Sequence, residues 1–153
     1  TDGGVYDNLG LESVWKRYQT ILVSDGGGRM KPQARPASTW LRHAYRVYDL
    51  LQRQIRSLRY RELIGAYQRG ELAGAYWGTY TDIQDYGVST PLPCPFEKTL
   101  VLAQVTTRLK EMPAKTQERL INWGYAVCDA ALRAYVDPTI KPPTKFPYPK
   151  SPI

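Results

Sequence analysis

Two cysteines and one histidine are all that the 153 residues contain, and this shortage excludes much of the chemistry those residues carry. Cys94 and Cys128 lie far apart and form no Cys-x-x-Cys, so neither a zinc ribbon nor a disulfide-dense scaffold is in view. They read as two reduced core thiols, with a disulfide left open but unsupported. His43 alone rules out a two-histidine metal site, and a Ser-His-Asp triad within the chain has only that one base to draw on. No metal site and no cofactor are expected. Gly-x-x-x-x-Gly-Lys and Gly-x-Gly-x-x-Gly are missing, which removes phosphate-loop and dinucleotide readings. Gly-x-Ser-x-Gly is missing too, its nearest miss being Gly87-Val88-Ser89-Thr90-Pro91. No apolar run approaches the ~20 residues that span a bilayer. The first residues are acidic and glycine-rich, unlike the basic and then apolar start of a signal peptide.

Acidic residues are also in the minority. Fourteen Asp and Glu against 21 Lys and Arg leave a net charge of +7 and a pI near 9.5, a balance that favours anionic partners or simply a basic surface. Apolar residues at 42% and charged residues at 23% are globular proportions, and a chain of this length buries about 70% of the surface its unfolded form exposes.

Apolar spacing sets the expected elements. Leu9, Leu11, Val14 and Trp15 predict a short helix to Tyr18, capped by Asp7 or Asn8. Thr20-Ile21-Leu22-Val23-Ser24 is β-branched and unalternating, the mark of a strand buried on both faces. It runs into the loop Asp25-Gly26-Gly27-Gly28-Arg29. Ser38 or Thr39 caps the longest helix, expected to about Arg61, with Trp40, Ala44, Val47, Tyr48, Leu51, Ile55 and Leu58 as its core face. Arg42, Arg46, Arg53 and Arg56 form a separate basic stripe, either a solvated face or a contact for a membrane or another anion. Leu72 to Thr81 predicts a strand, Asp82 to Pro95 a long loop that is functional or mobile, and Lys98 to Val105 a strand or a helix. A last helix spans about Thr116 to Tyr135, its face built from Leu120, Ile121, Gly124, Val127, Cys128, Ala131, Leu132 and Tyr135. The small residues Gly124 and Ala131 suggest close packing there. Residues 137–153, with six prolines, predict an extended and poorly ordered tail. A short buried strand among long helices suggests a three-layer α/β arrangement, one side of a larger sheet.

Two stretches suit chemistry. Asp2-Gly3-Gly4 presents a carboxylate on a tight turn, equally a good ordinary surface turn. Asp25 to Arg29 offers backbone amides to an anion. Taken whole, Thr1-Asp2-Gly3-Gly4-Val5-Tyr6-Asp7-Asn8-Leu9-Gly10-Leu11-Glu12 resembles the aspartate motif of bacterial patatin-like phospholipases. Ile21 to Gly27, Gly74-Ala75-Tyr76-Trp77-Gly78 and Leu120 to Ala126 with Cys128-Asp129 are similar to the same family. The resemblance implies the C-terminal portion of a three-layer α/β/α hydrolase domain over residues 1–136, followed by the proline-rich tail. It implies lipid acyl hydrolysis by a Ser-Asp dyad, with Asp2 as the dyad aspartate and Gly3 and Gly4 as its supporting turn. The serine and the oxyanion loop would come from an N-terminal part of the same enzyme, and the chain by itself is expected to be inactive. Asp25 matches the dyad position less well, because its loop follows the Asp2 motif. A lipid or phospholipid substrate follows from the resemblance, with nucleic acid disfavoured; the compartment is left open, the cytoplasm or a peripheral membrane site being favoured. Two rivals stand beside it. One is a non-enzymatic basic module for anionic membrane or nucleic acid. The other is an N-terminal nucleophile hydrolase working through Thr1.

Overall fold

The structure is a computed structural model and describes residues 6–29, 32–35, 38–106 and 111–153. It is a mixed α/β chain: strand β1 (Thr20–Asp25), helix α1 (Trp40–Gln68), strand β2 (Ala73–Gly78), a 3-10 turn (Ile83–Tyr86), helix α2 (Phe96–Ala103) and helix α3 (Ala114–Tyr135). The strands pair in parallel: the Ala73 amide donates to the Gln19 carbonyl and the Thr79 amide to the Asp25 carbonyl, the same offset at both ends. Two compact units divide the chain, Thr1–Ile21 with Arg29–Ala73, and Leu22–Gly28 with Gly74–Ile153.

In the first unit the residues after Gly10 form hydrogen-bonded turns. Trp15 donates to Leu11 and Tyr18 to Val14, yet no regular helix develops where one was expected. Gly10 sits at φ +68 with open space around its α-carbon, so the backbone conformation and not crowding calls for glycine. Thr39 occupies the N-cap position of α1 without a side-chain cap bond. The helix runs past Arg61 to Gln68 and closes in a two-bond Schellman end: Gly70 at φ +70 donates to Tyr67, and Glu71 donates to Ala66. Tyr67 donates its hydroxyl to the Ile21 carbonyl at 2.7 Å, and burial pushes its pKa up to about 12. Leu11, Ile21, Leu63 and Ala66 are this unit's buried apolar residues. The expected core face of α1 is not among them: Trp40, Val47, Tyr48, Leu51, Ile55 and Leu58 are all exposed. Periodicity told which side chains share a side, and that side lies against solvent.

The second unit holds the real core. Trp123, Ala126, Val127 and Ala130 of α3 pack with Ile83, Leu92, Cys94, Leu102, Phe146 and Ile153. The buried side of α3 is therefore turned about one residue from the expected face. Ile121 and Tyr135 are exposed, and a β-carbon on Gly124 would meet nothing within 4 Å, so Gly124 mediates no close packing. Ala131 is fully buried, as its size suggested. Both cysteine thiols are free; burial pushes Cys94 up to about 12, and burial together with the Asp129 charge raises Cys128. β1 alternates, with Ile21, Val23 and Asp25 buried and Leu22 49% exposed, so among the described residues it is covered on one face and not on two.

Segments without regular structure are pinned to this core. The 82–95 loop inserts Ile83, Leu92 and Cys94 into it, and Arg133, paired with Asp129 at 2.8 Å, donates to the Thr90 carbonyl. The proline-rich segment 137–153 forms neither helix nor strand, but it is no loose tail. Asn122 on α3 donates to the carbonyls of Tyr148 and Ser151 at 2.9 and 2.8 Å and accepts the Tyr148 amide at 2.9 Å. Ser151 donates to Glu118, and Lys98 donates to the Ile153 carbonyl. Composition missed this because prolines remove donors without preventing carbonyls and apolar side chains from docking. Asn122→Ala removes three hydrogen bonds to the backbone of Tyr148 and Ser151, one buried and two part-buried. It is expected to destabilise the second unit by about 2–4 kcal/mol, read from urea denaturation followed by tryptophan fluorescence.

Candidate functional site

Asp2, Gly3 and Gly4 lie outside the described residues; what is described is the segment that follows them. The main chain turns back at Asp7, whose carbonyl accepts the Gly10 amide at 3.3 Å. The Asp7 carboxylate accepts the Glu12 amide at 2.7 Å and so closes the turn where a capped helix was expected. Arg59 of α1 reaches the same place. Its guanidinium donates to Asp7 at 3.1 Å and to Glu12 at 3.2 Å. The Asp7 side chain is only 10% exposed. Burial pushes its carboxyl up, but the amides of Glu12, Leu11 and Leu9 and the Arg59 guanidinium outweigh this, and its pKa lies below the ordinary carboxylate value. The arrangement fixes the six residues after Tyr6 to the middle of the longest helix.

The second candidate lies in the second unit, at the carboxyl ends of the two parallel strands, where α/β sheets commonly place their ligands. Asp25 is the last residue of β1 and is 5% exposed. One oxygen accepts the Tyr76 hydroxyl at 2.6 Å and the other accepts the Gly27 amide at 2.9 Å. Tyr76 comes from β2, and its own carbonyl accepts the Tyr86 hydroxyl at 2.9 Å. Gly78 ends β2 beside this pair. A β-carbon there would stand 3.4 Å from both the Asp25 carbonyl and the Tyr76 hydroxyl, at the near edge of ordinary van der Waals contact. The Gly27 amide turns inward to Asp25, and a buried carboxylate stands at the mouth of the loop. Both features work against the anion cradle that glycine composition suggested.

The remaining candidates are scattered. Arg42 is exposed, while Arg46, Arg53 and Arg56 are half-buried on α1. Asp49 sits among them, 3.9 Å from Arg46 and 3.4 Å from Arg53, and cancels part of the stripe's field. His43 is exposed. Among the described residues no three His, Cys, Asp or Glu side chains gather to hold a metal ion, and no helix is long and apolar enough to cross a membrane. Sequence reasoning passed over Arg59 and the pairing of Tyr76 with Asp25. Each partner lies about fifty positions away in the chain, a distance at which no local pattern reports contact.

Two outcomes follow. Asp25 and Tyr76 interact by a charge-assisted hydrogen bond, worth roughly 1.5–3 kcal/mol. A double-mutant cycle with Tyr76→Phe and Asp25→Asn is expected to return a coupling of that order in denaturation experiments, and additive effects would refute it. For Asp7 the folded pKa is depressed, so its contribution is present above the unfolded value, near 3.8, and is lost as pH falls through the folded value. The stability gap between the wild type and Asp7→Asn is expected to be widest at neutral pH and to close as pH drops below about 4, measured by urea midpoints across that range.

Compared with protein-family models, characterised proteins and solved structures, the chain matches none.

Proposed function

We propose that this chain carries the aspartate half of a Ser-Asp dyad in a lipid acyl hydrolase of the patatin-like kind. On this reading the described α/β elements are the C-terminal portion of a three-layer domain, whose N-terminal part supplies the serine and the oxyanion donors. Asp2 is the base and Gly3-Gly4 the turn that presents it. The observation that carries the proposal is the motif from Thr1 to Glu12 together with the anchoring of its second half. Asp7 and Glu12, both motif residues, are held by Arg59. A base loop needs such anchoring, because displacing a catalytic group by about 1 Å costs on the order of a hundredfold in rate.

The chemistry asked of Asp2 is modest. A serine hydroxyl is a weak nucleophile, and a carboxylate within ~2.6–3.2 Å can take its proton as the oxygen attacks the ester carbonyl. The tetrahedral intermediate collapses with loss of the alcohol, which leaves with the proton Asp2 received. Water, activated by the same carboxylate, then releases the fatty acid from the serine ester. No histidine and no cofactor enter the scheme. Substrates are acyl esters of lipids, met in the cytoplasm or at a membrane surface.

The 153-residue chain alone is expected not to turn over p-nitrophenyl esters, for want of the serine. In the enzyme that joins it to the serine-bearing part, Asp2→Asn is expected to lower kcat by about a hundred- to ten-thousandfold with an unchanged circular dichroism spectrum. Full activity of that variant, or turnover by the chain alone that vanishes on Asp2→Asn, would contradict the division of labour.

A further inference from the structure

The apolar side of α1 is exposed in a way that a lone domain seldom tolerates. Trp40, Val47, Leu51 and Leu58 are spaced by seven, four and seven residues and, with Leu41 and Ile55 beside them, occupy one arc of the helix. Trp40 is 76% exposed, Leu51 53% and Leu58 52%. Together the six side chains present on the order of 700 Å2, more than the ~300–600 Å2 of the largest apolar patch on a typical monomer. That area is close to the ~800 Å2 per partner of a stable interface.

Charge placement selects the occupant. At 100° per residue, Arg42, Arg46, Arg53 and Arg56 fall on the opposite side of the helix from this arc. Between Trp40 and Leu58 the arc contains no charged residue, and the positions along its margins are His43, Gln52 and Gln54. An interfacial membrane helix keeps its cations at the margins, where they reach anionic headgroups; here they point away from whatever the arc touches. Two copies laid arc to arc bring no like charges together, so the +7 of each chain does not oppose their meeting at close range. A symmetric pair also buries the same patch twice, as isologous interfaces do.

We propose that residues 40–58 of α1 form a homodimer interface, each copy covering the apolar arc of the other. The pairing is independent of the acyl-hydrolase reading, since neither Asp2 nor Arg59 takes part in it.

Sedimentation equilibrium of the wild-type chain at micromolar concentrations is expected to give twice the 17.4 kDa of one chain. The double variant Leu51→Glu, Leu58→Glu is expected to associate at least tenfold more weakly, with its helical circular dichroism retained because both positions are exposed in the single chain. Arg42→Glu, on the far side, is expected to leave the dimer unchanged. A monomeric wild type overturns the proposal whatever the variants do, and so does a dimer that survives the double substitution. Mass beyond the dimer would mean unspecific aggregation, and a monomer whose tryptophan emission shifts to the blue on adding phosphatidylglycerol vesicles would make a lipid surface the occupant; either result overturns it.

Discussion

Asp25 is a carboxylate taken out of water between two parallel strands, and only the donors around it make that tolerable. A buried carboxylate without partners costs several kcal/mol; here the Tyr76 hydroxyl and the Gly27 amide meet it. The same contacts do structural work. Tyr76 ties β2 to the end of β1, and the Gly27 amide closes back on the Asp25 carboxylate as the chain leaves the sheet. Two parallel strands by themselves are marginal, so the sheet relies on this polar clasp more than a larger sheet would.

A second polar clasp organises the other unit. Arg59 joins Asp7 and Glu12, and because Asp7 also caps the turn at Glu12, one guanidinium sets the course of the chain from Asp7 to Glu12. Exposed ion pairs are usually worth little, but Asp7 is largely buried and is hydrogen-bonded by backbone amides as well. The two clasps share a logic: each fixes a carboxylate that opens a glycine-containing turn by means of a donor about fifty residues away. Glycine supplies the conformation, and the distant donor removes the freedom that glycine brings.

Much of this was legible in the sequence. The positions of β1, β2 and α3 and the start of α1 followed from apolar spacing, whereas α1 runs past its expected end at Arg61 to Gln68, and the helix that Asp7 or Asn8 was expected to cap is a run of turns. What failed was the assignment of faces. Val23 and Ile21 are buried while Leu22 is not, though all three are equally apolar, because coverage depends on elements that arrive from elsewhere in the chain. Leu51 and Leu58 looked like core for the same reason. Gly124 looked like a packing notch, yet smallness permits close approach without causing it. The tail was misjudged because composition registers its prolines and overlooks Phe146, Ser151 and Ile153, which find partners on α2 and α3. In the candidate sites, the carboxylates were visible as Asp-Gly steps, but Arg59 and Tyr76 were not, since nothing local distinguishes them from any other arginine or tyrosine.

The docking of the last segment onto α3 has a kinetic side. Phe146 and Ile153 complete a core whose other members begin at Ile83, and Asn122 grips carbonyls 26 and 29 residues further on. Contacts of such separation form late, because loop-closure entropy must be met before they contribute. A chain emerging from the ribosome could therefore assemble α3 and still lack a closed core until residue 153 was free. Until then Trp123 and Val127 would stay open to solvent and to chaperones, a window of exposure set by the length of a proline-rich segment and not by the stability of the finished fold.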